Sequence, residues 1–274
     1  MSVYSFTWIF CVLFVVNGFP GTSSFVVDVD TYETPTKEWD YLAMVQFWPP
    51  TSCYIYFGKE KCHGIPAVVK GWTIHGLWPS GPGSHYPEYC NHSLKFDYNK
   101  IKSLGAQLLT QWPNLDSESK TTELWSHEWE KHGTCAVSVS RLSTEFDYFN
   151  VTLGIHGALN TTGALAKRGI TPSDDPYTAS DIYNALLAEY GVKPNIVCEK
   201  KDEKYYLDQV YVCLSKSFVA QDCISSSGEP FLGSLFVGCP DPQSREVIYM
   251  PFNTQQIPDR PDNILEFISE RDMS

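Results

Sequence analysis

Apolar positions along the chain predict β-strands near both ends and helices in the middle. Short apolar runs typical of strands occupy residues 42–47 and 67–75, and Pro49-Pro50 ends the first run. Apolar residues recur at helical spacing over residues 97–112, 121–132, 145–159 and 179–190, with Gly133 and Gly191 ending the second and fourth helices. Strand patterns return over residues 205–214, 234–237 and 246–249. This segregation favours an α+β fold, with helices packed on a central, largely antiparallel β-sheet, over an alternating βαβ fold.

The first residues resemble the apolar core of a secretory signal peptide. The run from Trp8 to Val16 is too short to span a bilayer, and small or turn-forming residues follow it. No Lys or Arg precedes the run, so a buried N-terminal segment is the alternative interpretation. We expect residues 1–24 to be a signal peptide that is cleaved between about residues 18 and 24. Residues 25–274 are then expected to form a single domain, and no other segment is long enough to span a membrane.

Cysteine usage agrees with export from the cell. The chain contains nine cysteines, and Cys11 lies inside the apolar run. The other eight are an even number, which indicates four disulfides, whereas a zinc site would normally show CxxC pairs, which are missing. Asn-X-Ser/Thr triplets predict glycosylation at Asn91, Asn150 and Asn160. We therefore expect a secreted or lysosomal protein with disulfides among Cys53, Cys62, Cys90, Cys135, Cys198, Cys213, Cys223 and Cys239.

The formal charge of −12 limits how the chain can bind nucleic acid. Affinity for a phosphate backbone normally comes from clustered Lys and Arg side chains, which an acidic protein lacks over most of its surface. Any chemistry on nucleic acid must therefore depend on a local cationic pocket. Acidic pH would favour such a pocket, because it protonates histidines and discharges carboxylates.

The segment Trp72–Pro79 is the first candidate for chemistry. In a regular strand Trp72 and Ile74 face one side, and Thr73 and His75 face the other. Buried aromatic side chains would then hold the strand while His75 faces a cleft, and Gly76 lets the backbone turn after it. A single histidine in a strand is more often structural than catalytic, so this segment alone is only suggestive.

The segment His127–Cys135 is the second candidate. At about 100° per residue of an α-helix, four polar side chains fan over an arc of about 140°. Trp129 lies to the side of this arc and is expected to anchor the helix in the core, and a disulfide at Cys135 would hold the helix end. The alternative is a solvated, charged helix end. The four side chains are those of His127, Glu128, Lys131 and His132.

Two common hydrolase classes do not fit these residues. Zinc proteases of the zincin type place two histidines four positions apart, on one side of a helix. His127 and His132 are five positions apart, so in an α-helix their rings diverge by about 140° and do not face one ion. The nucleophile motif Gly-x-Ser-x-Gly of serine hydrolases is missing from the sequence. We therefore predict a site without a metal or other cofactor.

The same residues suit the cleavage of RNA. The 2′-hydroxyl of RNA is a nucleophile beside each phosphate, so a neutral imidazole can remove its proton while an imidazolium protonates the leaving 5′-oxygen. A neighbouring cation stabilises the negative charge that grows on the phosphate. DNA lacks this hydroxyl and is not expected to be cut.

The two segments WTIHGLWP at 72–79 and HEWEKHGTC at 127–135 resemble the signature segments of the ribonuclease T2 family. Weaker similarity is found at residues 44–49, 90–93, 190–194 and 211–214. The resemblance implies an α+β fold and an endoribonuclease that cleaves single-stranded RNA through a 2′,3′-cyclic phosphate with low base specificity. A bell-shaped pH profile with an optimum at about pH 4–6 is expected from two imidazoles in opposite protonation states.

The resemblance also implies roles for individual residues. His75 would be the general acid and His132 the general base, although the assignment of acid and base stays open. His127 would hold the phosphate, Glu128 and Lys131 would support the transition state, and Trp78 would stack on the base 5′ of the cut. Family pairing implies the disulfides Cys53–Cys62, Cys90–Cys135, Cys198–Cys239 and Cys213–Cys223.

Two positions depart from the family pattern. Ser80 replaces an Asp or Asn that can bond the base in relatives, and Phe47 stands where some animal relatives carry His. The remaining histidines, expected to be structural or on the surface, are His63, His85, His92 and His156. We expect a monomer; the alternative function is a secreted glycoprotein that acts by binding, independently of catalysis.

Overall fold

The computed structural model describes residues 39–57, 65–81, 86–116, 119–224, 230 and 234–252, all within one compact unit that spans residues 36–274. The predicted signal peptide lies outside these residues. In the described part of the chain the strands are β1 (Tyr41–Phe47), β2 (Thr73–Ser80), β3 (Tyr177–Thr178), β4 (Asn195–Lys201), β5 (Lys204–Ser215), β6 (Ala220–Gln221), β7 (Phe236–Val237) and β8 (Arg245–Ile248).

These strands form one sheet with the central order β2-β1-β5-β4-β7. The pairings β1–β2, β1–β5, β4–β5, β5–β6 and β3–β8 are antiparallel, whereas β4–β7 and β5–β8 are parallel. The α+β prediction with a largely antiparallel sheet is therefore confirmed. The strand predicted at 67–75 begins later, at Thr73. The apolar pattern did not predict β4.

The helices connect these strands and cover the sheet. They are α1 (Pro49–Ser52), α2 (Tyr98–Ile101), α3 (Gly105–Gln111), α4 (Glu123–Glu128), α5 (Thr134–Ala136), α6 (Glu145–Ala158), α7 (Thr161–Ala166) and α8 (Ala179–Tyr190). Short π-helical segments occupy Cys53–Phe57 and Trp129–Gly133, and 3₁₀ turns occupy Lys102–Leu104 and Ser140–Leu142. No helix among the described residues has both the length and the apolar character needed to cross a membrane.

End signals explain which helix predictions hold. The side chains of Thr144 and Thr178 cap α6 and α8 by accepting from backbone N–H groups, and Gly191 ends α8 with a φ of 70°. Both helices match their predictions closely. The predicted helix over 97–112 is instead interrupted by a 3₁₀ turn. Gly133 does not end its helix: the backbone continues into α5, and the Trp129 ring leaves no room for a Cβ at that glycine.

The core lies mainly on the helical face of the sheet. Leu42, Met44, Ile74 and Leu77 pack there against helical residues that include Trp129. A smaller cluster on the opposite face joins β1, β4 and β5 and contacts Trp78; its buried members are Tyr41, Ala43, Val45, Val197, Tyr211, Cys213 and Cys223. The polar site described next is built beside this smaller cluster.

Candidate active site

A β-bulge in β2 directs the side chain of His75. Val45 pairs with Gly76 and Gln46 pairs with Ile74, so His75 is the extra residue. Ile74 and Leu77 are three positions apart and would face opposite sides of a regular strand, yet both reach the helical core. The same shift brings His75 and Trp78 together, with their ring centroids 4.7 Å apart.

A π-helical segment changes the direction of the side chains in the second candidate segment, His127–Cys135, as the bulge does in β2. Residues Trp129–Gly133 form this wider turn directly after α4. It brings the ring centroids of His127 and His132 to 6.4 Å. The prediction that these two rings diverge is wrong, because it assumed a regular α-helix. His132 is buried, and His127 is exposed.

Trp78 lies at the centre of the site. Its ring stacks on His132 at a centroid separation of 4.9 Å and meets His75 edge-on at 4.7 Å. The two imidazoles are therefore less than about 10 Å apart, a distance over which one phosphate can contact both. The indole Nε1 of Trp78 donates to Oε2 of Glu128 at 2.8 Å. The predicted residues of the strand and of the helix thus meet in one place.

Glu128 is fully buried beside the two imidazoles. Its Oε1 lies 3.9 Å from Nε2 of His75. Within the described part of the chain, neither this Oε1 nor the buried Nδ1 of His132 has a hydrogen-bond partner. Buried polar atoms are nearly always paired, so these two atoms are candidates for contact with a substrate.

Burial shifts each central group toward its neutral form. It lowers the pKa of His75 to about 3, although the hydrogen bond to Gln209 acts in the opposite direction. It lowers the pKa of His132 to about 2, assisted by the positive charge of Lys131. It raises the pKa of Glu128 to about 8, against the opposing hydrogen bond from Trp78. Without a bound anion, both imidazoles and the carboxyl are therefore neutral at mildly acidic pH.

Lys131 supplies the positive charge of the site. Its Nζ lies 3.1 Å from Oε1 of Glu88. Burial acts to lower the pKa of Lys131, but the hydrogen bond and charge of Glu88 outweigh it and the pKa is raised. Partial burial, followed by the charge of Lys131, lowers the pKa of the neighbouring His127. Lys131 and His127 thus offer one cation and one polar ring to an anion.

Three of these residues also form a possible metal-binding set. The ligand atoms of His127, Glu128 and His132 all lie within 4.8 Å of one another. Histidine and carboxylate ligands are a donor set that zinc uses. The geometric argument against a metal fails here, since it required the divergence that the π-helical segment removes. Metal dependence therefore has to be decided by experiment.

Ser80 and Phe47, the two residues that depart from the family pattern, each make a defined contact. Ser80 is fully buried, and its hydroxyl donates to the carbonyl oxygen of Trp78 at 2.9 Å. The ring of Phe47 stacks on His75 at a centroid separation of 3.9 Å. Phe47 therefore supports the imidazole directly.

The other histidines lie away from this cluster where they are described. Nδ1 of His156 is 2.7 Å from the side-chain nitrogen of buried Gln46, and exposed His92 stacks with Tyr89. These contacts fit structural and surface roles. His63 and His85 lie outside the described residues.

Three disulfides expected from the resemblance are present. They join Cys90 to Cys135, Cys198 to Cys239 and Cys213 to Cys223. The first fixes the end of the helical segment that carries His132. Residue 62, the expected partner of Cys53, lies outside the described residues.

Four residues of the site were missed by the sequence reasoning. Tyr211 meets Trp78 edge-on at 5.8 Å, Tyr86 lies 6.5 Å from His132 between ring centroids, and Glu88 pairs with Lys131. Oε1 of Gln209 lies 3.2 Å from Nδ1 of His75. Only the alternation along residues 205–214 could have indicated that Gln209 and Tyr211 share one face.

Known proteins resemble this chain in sequence and in fold. The model of the Ribonuclease T2 family matches residues 39–223. The chain is similar to ribonuclease T2 of Sus scrofa, with 39% identity over 191 residues that cover 68% of this chain and 90% of the relative. Its fold is similar to the crystal structure of human RNase T2, with a TM-score of 0.64, 35% identity and coverage of 78% and 99% of the two chains. RNase NT in complex with 5′-AMP gives a TM-score of 0.63, 26% identity and coverage of 79% and 100%.

Proposed function

Because the chain belongs to the Ribonuclease T2 family and is on that ground an endoribonuclease, we propose that it cleaves single-stranded RNA by metal-independent transphosphorylation. The observation that carries this proposal is that His75 and His132 both contact the ring of Trp78, with buried Glu128 beside them. Two imidazoles within reach of one phosphate suit a reaction that moves one proton in and one proton out. The product is a 2′,3′-cyclic phosphate, and DNA is not cut.

The two imidazoles take different parts in this reaction. Neutral His132 removes the proton of the 2′-hydroxyl, whose oxygen attacks phosphorus. Protonated His75 gives its proton to the 5′-oxygen as the P–O5′ bond breaks. This assignment of base and acid is the one that the resemblance to the family implies, and burial lowers the pKa of both rings, so that either is neutral before RNA binds.

The negative charge of the bound substrate raises the pKa of His75 and so allows this ring to be protonated. Burial holds the pKa of His75 well below its ordinary value in the free site. A phosphodiester anion placed against the ring raises that pKa, since a nearby negative charge favours the imidazolium. Binding of RNA therefore promotes protonation of the general acid, and an acidic optimum follows.

Three side chains stabilise the transition state. Lys131 and His127 hold the non-bridging phosphate oxygens. Glu128 is protonated at acidic pH and donates a hydrogen bond from Oε1, while its Oε2 accepts from Trp78. Donors fixed in a buried site are effective because they need no reorganisation as charge develops.

The base 5′ of the cut is proposed to stack on Trp78, with Tyr86 as a neighbouring aromatic surface. Crystals of the similar RNase NT contained 5′-AMP, which supports a nucleotide site in this fold. Ser80 directs its hydroxyl to the protein backbone rather than to the cleft. Low base specificity is therefore expected, without a polar contact from this position.

The test is cleavage of single-stranded RNA by His75→Ala and His132→Ala, with His92→Ala as a control outside the site. Both site variants should lose activity, and His92→Ala should retain it. Near-normal cleavage by either site variant would contradict the proposal. EDTA should leave wild-type activity intact; loss with EDTA and recovery with Zn²⁺ would instead support a metal held by His127, Glu128 and His132.

We also propose that the protein is exported, with removal of a signal peptide within residues 1–24, and acts as a monomer in the lysosome or outside the cell. Disulfides persist in such oxidising compartments, and the three described here support this. Asn91, Asn150 and Asn160 are all exposed, as glycosylated asparagines must be. Intact-mass measurement before and after removal of N-glycans tests both the loss of the signal peptide and the glycosylation.

A further inference from the structure

A second β-bulge lies behind His75, in β5. Val197 pairs with Gln209 and Cys198 pairs with Leu207, so Asp208 is the extra residue. Adjacent side chains of a regular strand face opposite sides of the sheet. At this bulge they meet instead: Nε2 of Gln209 donates to Oδ2 of Asp208 at 3.1 Å.

The carboxyl group of Asp208 is held firmly. It is fully buried, Oδ1 accepts from the Ser52 hydroxyl at 2.6 Å, and Oδ2 accepts from the Tyr56 hydroxyl at 3.0 Å. Burial raises the pKa of this carboxyl to about 6, so it is ionised above that pH. An ionised carboxyl accepts hydrogen bonds only, so the neighbouring amide then presents its nitrogen to it. The oxygen of that amide, Oε1 of Gln209, is therefore turned the other way, toward His75.

His75 meets this oxygen through Nδ1, at 3.2 Å. The hydroxyl of Tyr211 donates to the same oxygen, also at 3.2 Å. An amide oxygen only accepts, so Nδ1 of His75 must carry the hydrogen. Phe47 stacks on the ring and limits its tilt, and the other ring nitrogen, Nε2, faces Glu128 at 3.9 Å.

We propose that Gln209, oriented by Asp208, is a positioning residue that keeps His75 in the Nδ1–H tautomer, so that Nε2 is the nitrogen that exchanges a proton with the substrate. The catalytic consequence rests on the proposed function, whereas the tautomer is a property of the free protein. Gln209 is buried and acts through His75. Partners of this kind fix which nitrogen of a histidine is free to react.

The first test is Gln209→Leu, which keeps the size of the side chain and removes the acceptor. We expect kcat to fall by about 10- to 100-fold with KM nearly unchanged, as is usual when an orienting partner is lost. Nitrogen-15 NMR of labelled histidines, assigned with His75→Ala, should show the Nδ1–H tautomer of His75 in the wild type and its loss in the variant. Gln46→Leu is the matched control, because Gln46 is equally buried but bonds to His156 and Thr161. The control should lower thermal stability without changing the tautomer of His75.

The second test exchanges the two groups in the double variant Asp208→Asn with Gln209→Glu. A carboxylate would then accept from Nδ1 of His75, and an amide would stand behind it. We expect recovery of the Nδ1–H tautomer and a shift of the alkaline limb of the kcat profile to higher pH, since a negative charge beside an imidazole raises its pKa. The tautomer is the diagnostic result, because a purely structural role for Gln209 predicts the same tautomer of His75 in the wild type, in Gln209→Leu and in the double variant.

Retention of the Nδ1–H tautomer or of wild-type kcat in Gln209→Leu would overturn the proposal, as would failure of the double variant to recover that tautomer. The proposed function can fail separately. If the wild type showed the expected tautomer but did not cleave RNA, the positioning of His75 would stand and the reaction would be wrong.

Discussion

Gly76 offers a sensitive test of how closely the strand and the helix approach each other. A Cβ at this position would overlap Oε2 of Glu128 and Nε1 of Trp78, the two atoms joined by the 2.8 Å hydrogen bond, and would lie 2.9 Å from Cδ of Glu128. Ordinary contacts to a Cβ begin at 3.4 Å. Because Glu128 is fully buried, its carboxyl cannot move into solvent, and both groups must shift within the site.

We therefore expect Gly76→Ala to lower kcat by about 100-fold, since a misplacement on the order of 1 Å in an active site has that effect. Overpacking should also reduce stability by about 1–3 kcal/mol. The assay is kcat on a dinucleoside phosphate, together with the melting temperature. Gly154→Ala is the control: this glycine lies on the exposed side of α6, with open space around its Cβ position. It should leave kcat unchanged and stabilise the fold by about 0.5–1 kcal/mol. Wild-type kcat in Gly76→Ala would refute the close approach.

Three further predictions use other parts of the structure. Glu128→Gln should lower kcat by less than tenfold, because an amide can still accept from Trp78 and donate to the phosphate. Glu128→Ala should lower kcat by about 10²- to 10³-fold. Equal losses in the two variants would contradict a carboxyl that donates a hydrogen bond. The alkaline limb of the kcat profile should lie at higher pH than that of the kcat/KM profile. Burial lowers the pKa of His75 in the free enzyme, and bound phosphate raises it again. Coincident alkaline limbs in the two profiles would contradict this prediction. Thr144→Ala, which removes the cap of α6, should lower stability by about 1 kcal/mol without changing kcat, and an unchanged melting temperature would show that the cap contributes nothing.

Regular periodicity explains which parts of the fold were predictable. The helices α6 and α8 have clear end signals, the strands β1 and β5 are apolar over most of their length, and the predicted bounds of all four are close to those observed. β4 was missed because it carries polar residues at its end, among them Glu199 and Lys200. Gly133 failed as an end signal because packing against Trp129, rather than backbone freedom, requires a glycine there.

The identity of the predicted site residues came from two local segments, but their arrangement did not. Two irregularities create it: the bulge at His75 turns the strand residue toward Trp78, and the π-helical segment turns His132 toward His127. A fixed period of two or of 3.6 residues describes neither. Gln209 was invisible for a related reason, since its role depends on the pairing of strands far apart in the chain and on the bulge at Asp208.

The central claim is that the cleaved strand provides its own nucleophile to a phosphate held by two imidazoles. The most direct measurement is digestion of a DNA oligonucleotide that contains a single ribonucleotide, in the presence of EDTA, with the product ends identified by mass spectrometry. We predict one cut, directly 3′ of the ribonucleotide, that leaves a 2′,3′-cyclic phosphate and a 5′-hydroxyl. Cuts between deoxynucleotides, or ends carrying a 5′-phosphate, would contradict it.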